Sequence, residues 1–186
     1  SSGYVSTNAS RRKCCTFRKK ISMKKLFFLL LISFFFSGCE KDDICDENTP
    51  TTPKVVIEFY DAANPTDLKK VTNLGVFNTD FTIGFGFNDV SIGKIPLKTF
   101  QNSSVFYFIQ NGSADPNTDD NTDEVTFNYT RRTEYVSRAC GYKTLYVLDT
   151  TNPVIVTTDG NNWIQSVTVS QPNIENENET HVKIYF

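Results

Sequence analysis

The chain has 186 residues, 39% of them hydrophobic and 13% aromatic, with 19 basic and 21 acidic side chains and one histidine. All 21 acidic residues lie at Glu40 or later with only 11 of the basic ones, so residues 39–186 carry a net charge of −10 rather than the −2 of the whole chain. A body this acidic argues against a nucleic-acid partner and against a patch that adheres to anionic lipid. One histidine and no Cys-x-x-Cys pair leave no zinc-site spacing.

In chain order, residues 1–22 come first: six basic residues, no acidic one, and the pair Cys14-Cys15. A long basic leader would read this way. Met23-Lys24-Lys25 is already a complete start, however, so the segment is expected to be translated upstream sequence whose charge carries no functional weight. Residues 23–38 have the order of an export signal: two lysines, an unbroken apolar run from Leu26 to Phe36, then Ser37-Gly38 before Cys39. A spanning helix needs about 20 apolar residues, and this run is too short. Phe36-Ser37-Gly38-Cys39 resembles the bacterial lipobox, with phenylalanine where leucine is more usual. The resemblance implies a diacylglycerol group on the Cys39 thiol and a further acyl chain on its freed amino group. Each buried CH₂ contributes about 0.8 kcal/mol, so several chains make a stable membrane anchor.

Residues 39–53 read as a tether, acidic first and then rich in threonine and proline, and are expected to be extended and mobile. Lys41, Asp42 and Asp43 directly after the lipidated cysteine resemble the signal that sends Bacteroidota lipoproteins to the outer face of the outer membrane. That resemblance implies cell-surface display. A periplasm-facing anchor with a generic acidic tether is the alternative. With Cys14 and Cys15 lost in the leader and Cys39 committed to lipid, Cys45 and Cys140 remain. In an oxidising compartment the simplest expectation is a disulfide, with two separate thiols as the alternative. The chain-entropy model gives roughly 4.7 kcal/mol for a loop of about 96 residues.

Residues 54–186 are expected to form one domain. Period-two alternation and β-branched or aromatic enrichment predict strands at 54–60, 69–77, 81–87, 90–97, 104–110, 124–130, 133–139, 143–148, 154–158, 163–169 and 181–186. Asn-Pro, Asn-Gly and Asp-Gly breaks separate most of them, and no segment sustains a helical apolar period. The fold class is therefore all-β: an antiparallel immunoglobulin-like β-sandwich of seven to nine strands, with a small antiparallel barrel as the alternative. The antibody pattern of Cys, Trp, Cys is absent, because Trp163 follows both cysteines.

Several residues invite closer reading. Val182, Ile184 and Phe186 alternate with His181, Lys183 and Tyr185, which places the only histidine on the solvent face. Trp163, Val167 and Val169 share one face of a predicted strand, and that face is expected to be buried. Asp115, Asn117, Asp119, Asn121 and Asp123 put an oxygen ligand at every second position, as in a calcium loop. Asp120 stands where the EF-hand glycine belongs and Thr126 where its bidentate glutamate belongs, so a solvated hairpin loop is the default. Asn173–Thr180 reads as a second solvated acidic loop. Asp149-Thr150-Thr151 resembles the Asp-Thr-x O-glycosylation site of exported Bacteroidota proteins. There is no Gly-x-Ser-x-Gly elbow, no His-Glu-x-x-His and no phosphate-cradling loop.

Beyond the signal, the chain resembles an uncharacterised family of small Bacteroidota lipoproteins. The features that carry this are the lipobox, Ile44-Cys45, Phe59-Tyr60-Asp61-Ala62, Arg138-Ala139-Cys140-Gly141-Tyr142-Lys143 and His181-Val182-Lys183-Ile184. The resemblance supports the location, the fold class and the Cys45–Cys140 bridge, and implies no activity. The expectation for function is a lipid-anchored, non-enzymatic binding or accessory module of the bacterial envelope, without a cofactor, whose partner is a glycan or an envelope protein. A small carboxylate hydrolase and a calcium-stabilised structural domain are the alternatives.

Overall fold

The computed structural model describes Lys24 and residues 44–112 and 120–186. Cys39, Lys41, Asp42, Asp43, Asp115, Asn117 and Asp119 lie outside the described residues, as does the apolar run from Leu26 to Phe36. Within residues 44–112 and 120–186 every regular element is a strand: β1 (Val55–Tyr60), β2 (Leu74–Asn78), β3 (Gly84–Phe87), β4 (Ile92–Ile95), β5 (Ser103–Gln110), β6 (Asn121–Ser137), β7 (Gly141–Leu148), β8 (Val154–Val156), β9 (Ser166–Val169), β10 (Asn173–Ile174) and β11 (Val182–Tyr185).

They form two sheets that do not close into a barrel. The four-stranded sheet has the order β4-β1-β11-β9, and the seven-stranded sheet β10-β7-β6-β5-β2-β3 with β8 also on β6. Among the described strands only β1 and β11 run parallel, Ile57 facing Val182, and every other described pair is antiparallel. The protein is a β-sandwich. Alternation explains the layer between the sheets: Val55, Ile57, Phe59, Val182 and Ile184 from the smaller sheet meet Val76, Phe106, Phe108, Val125, Phe127 and Leu148 from the larger. Each such side chain contributes about 1.5–3 kcal/mol on burial. Trp163 closes one end. It packs on Phe59 and Phe186, and its indole N–H donates to the Phe108 carbonyl at 3.1 Å.

Four expectations change. Described strands number eleven, not seven to nine, because short edge strands and β10 add to the framework. The break expected near 130–133 is absent. β6 runs through it for 17 residues, its first half pairing with β5 and its second with β7. Trp163 is buried as expected but precedes β9 rather than lying in it.

The fourth correction is His181, which is fully buried rather than on the solvent face. The residue sits one place before β11 and acts on the backbone beside it. Its own N–H donates to the Val56 carbonyl at 3.0 Å, and its ring Nδ1 accepts the Val56 N–H at 2.9 Å. The neutral ring therefore carries its proton on Nε2, which has no partner among the described residues. Burial holds the imidazole below its usual pKa, against the opposing pull of Glu179 and Glu177.

Cys45 and Cys140 are joined by a disulfide, with Cα atoms 4.9 Å apart. Cys140 lies in the turn between β6 and β7, where Gly141 adopts a φ of +70° that a side chain would strain. Residues 44–53 run back to β1. Thr52 accepts the Thr144 N–H through its hydroxyl, and Pro53 is buried.

Candidate functional site

The outer face of the larger sheet carries an aromatic group that core packing does not explain. Register places Phe77 of β2 beside Tyr107 of β5 on one flank and Gly84 of β3 on the other, all on the face away from the core. Gly75 and Gly86 share that face. The Phe77 ring lies directly over Gly84: a Cβ there would meet it at 2.3 Å, so glycine is required by close approach rather than by φ.

Phe81, in the turn between β2 and β3, completes the group. Its ring stacks on Tyr107 with centroids 5.1 Å apart and planes 10° apart, and lies 5.7 Å from Phe77. It is 56% exposed and Ile83 beside it 60%. Phe81 also has a φ of +54°, a left-handed conformation that costs a bulky L-residue roughly 1–2 kcal/mol. Asn78 holds it there. Its carbonyl accepts the Phe81 N–H at 3.0 Å, and its side-chain oxygen accepts those of Thr82 and Ile83 at 3.0 and 3.1 Å. A strained, braced and exposed aromatic ring is the kind of feature that persists at binding sites. Glu124, opposite Tyr107 on β6, adds a carboxylate whose Oε1 accepts the Thr157 hydroxyl.

Elsewhere a depression of about 410 Å³ is lined by Asn102, Asn128, Tyr129, Thr130, Asp149 and Asn152. Its polar groups already serve the fold. Asp149 accepts the N–H groups of Thr151 and Asn152, Asn128 donates to the Asn152 carbonyl, and Asn102 accepts from Arg131. Those backbone donors hold the Asp149 carboxyl below its usual pKa. The neighbouring loop is clamped in the same manner. Tyr129 donates to the Lys98 carbonyl and Tyr146 to that of Leu97, and burial pushes the Tyr146 hydroxyl up to about 12.

Of the five oxygen-bearing residues expected in a calcium loop, Asn121 and Asp123 are described, and both belong to β6 rather than to a loop. Asn121 donates to the Asn161 carbonyl. Asp123 is fully buried, its carboxylate accepting the N–H of Ile164 at 2.8 Å and of Trp163 at 3.4 Å. Burial pushes its carboxyl above the usual range, against the pull of these donors. Among the described residues no three His, Cys, Asp or Glu side chains gather to hold a metal. Glu177, in the second acidic loop, accepts the Lys54 N–H and pairs with Lys94 at 3.2 Å.

Sequence reasoning passed over Phe77, Phe81, Tyr107 and Gly84. The signal was present in Gly84-Phe85-Gly86-Phe87, where glycine alternates with phenylalanine and leaves one strand face bare. Residues 72–186, more than half the chain, match the model of a family described as of unknown function, DUF6452. No curated protein and no solved structure matches the chain.

Proposed function

We propose that this chain, which belongs to the DUF6452 family of unknown function over residues 72–186, is a non-enzymatic binding or accessory module of the bacterial cell envelope, anchored by lipid on Cys39. The observation that carries the binding role is Phe81: exposed, stacked on Tyr107 and held at a φ that its bulk opposes. A ring serving only to cover the sheet would not need a strained backbone to present it. The anchoring rests on the lipobox and the Lys41-Asp42-Asp43 resemblance, which favours the cell surface. Five residues lie between Cys39 and the bridged Cys45, a reach of at most about 20 Å when extended, so the domain works close to its membrane.

The test uses the full chain in detergent as bait for a solubilised envelope fraction, beside Phe81→Gly. That substitution removes the ring and relieves the left-handed strain together, so fold stability changes little. A component retained by the native protein and lost with Phe81→Gly is the expected result. Equal retention by both, or none by either, overturns the reading. Labelling with an alkyne fatty acid, lost in Cys39→Ala, checks the anchor, and protease shaving of intact cells reads which face the domain occupies.

A further inference from the structure

From the bare edge beside this aromatic group we infer the class of partner: an extended segment of another protein, with alternating apolar side chains and basic residues at its ends, adding as a strand to the open side of β3. The inference rests on the binding role proposed above and narrows it.

β3 is an edge of the larger sheet, bonded to β2 alone among the described residues. In an antiparallel pair, opposed residues alternate between exchanging backbone hydrogen bonds and turning those groups outward. The Asn78 N–H donates to the Ile83 carbonyl, and the register then directs the polar groups of Phe85 and Phe87 toward β2. Those of Gly84 and Gly86 turn to the open side. Both outward positions are thus glycine, with no side chain beside the exposed N–H and C=O groups. Ile83, Phe85 and Phe87 take the other face, and none is fully buried although Phe87 packs against the core. One more strand would cover them.

Natural edges are guarded by lysine, proline, bulges or extreme shortness. β4 carries Lys94, with Pro96 after it, and β10 has two residues. β9 shows no exposed large apolar side chain. β3 has no such guard and borders Phe81 and Ile83. Its occupant follows from spacing and charge. Only an extended backbone matches two outward peptide groups separated by one residue, which a sugar ring does not. Exposed Asp80 and Asp89 flank the strand. Antiparallel self-pairing would bring Asp80 of one copy near Asp89 of the other at both ends, so a second copy is repelled and basic ends are attracted.

Amide hydrogen exchange on the full chain in detergent tests this. The probe is a short synthetic peptide of alternating valine and threonine ending in lysine on both sides, and a twin ending in glutamate is the comparison. The expected result is about tenfold slower exchange at Gly84 and Gly86 with the lysine peptide, and a weaker effect with its twin. Gly86→Pro, at a position where a Cβ meets nothing within 4 Å, removes one outward N–H and should abolish protection at Gly84. No protection at either glycine with the lysine peptide overturns the inference. So does equal protection by both peptides, or protection that needs only a higher concentration of the protein itself. If an envelope component is still lost with Phe81→Gly while Gly84 and Gly86 stay unprotected, the binding role stands and strand addition falls.

Discussion

The two sheets finish their edges in opposite ways. On the smaller sheet, Lys94 of β4 reaches across the start of β1 to Glu177, which also accepts the Lys54 N–H, and His181 bonds both backbone groups of Val56. There, polar side chains are committed to holding backbone. On the larger sheet, β3 turns glycine backbone to its open side, beside an aromatic ring held under strain. Elements with their polar groups satisfied and their edges charged support the fold. An unguarded edge next to a strained, exposed ring invites a partner. Substitutions in the first kind of region should therefore cost stability, and those in the second should cost binding with the fold intact.

The largest effect expected is loss of the Cys45–Cys140 bridge. Cys45→Ser with Cys140→Ser should lower unfolding free energy by about 4 kcal/mol, read by urea denaturation, and should leave exchange protection in β5 and β6 in place. A loss confined to residues 44–53 would show that the bridge fastens a segment without stabilising the sandwich.

Asp123 follows. Asp123→Ala strands two buried N–H groups, of Trp163 and Ile164, and should cost about 3 kcal/mol; Asp123→Asn, which keeps an acceptor, should cost less. If Asp123→Ala were neutral by the same denaturation assay, the distinction between committed and open polar groups would fail on the larger sheet.

The smaller sheet can be tested by pH. His181 is held below its usual pKa by burial, so the unfolded chain binds the proton more readily. Stability is then complete above the ordinary histidine value of about 6.5 and falls as pH drops from there toward the lowered folded value. Protonating Nδ1 would also set a donor against the Val56 N–H. Melting temperature should fall between neutral and mildly acidic pH, and His181→Gln should flatten that part of the profile. Asp123 works in the other sense. Its raised carboxyl destabilises the fold as pH rises through the acidic range, so the two groups separate along the pH axis.

Lys94→Ala should give the smallest change in stability, within about 1 kcal/mol, because its pair with Glu177 is partly solvated. Its informative readout is association. If β4 relies on Lys94 as an edge guard, the variant should self-associate in sedimentation while the native chain does not.

Much of this architecture was legible along the chain. Alternation from Val55 to Tyr60 and from Ser103 to Gln110 marked strands with one buried face, and turn residues separated them, because these are local consequences of backbone geometry. The pairing of Cys45 with Cys140 was expected from the two cysteines that remain when Cys14, Cys15 and Cys39 are set aside. The continuous run of β6 through Arg131 and Arg132 was not legible, since polar residues there look like a turn until β7 is known to pair alongside. His181 also obeyed the alternation on paper.

By itself, then, the sequence determined an acidic all-β body and which faces of most strands are apolar. Tertiary structure alone decided that His181 is enclosed against Val56, that Asp123 bonds the backbone before β9 instead of joining an open loop, and that Phe81 is lifted onto Tyr107 beside an unguarded edge. The reason is physical. Period and turn chemistry act between near neighbours, whereas the fate of a polar or aromatic side chain depends on which backbone groups from distant strands arrive beside it, and those partners lie from 26 to 125 residues away in the chain.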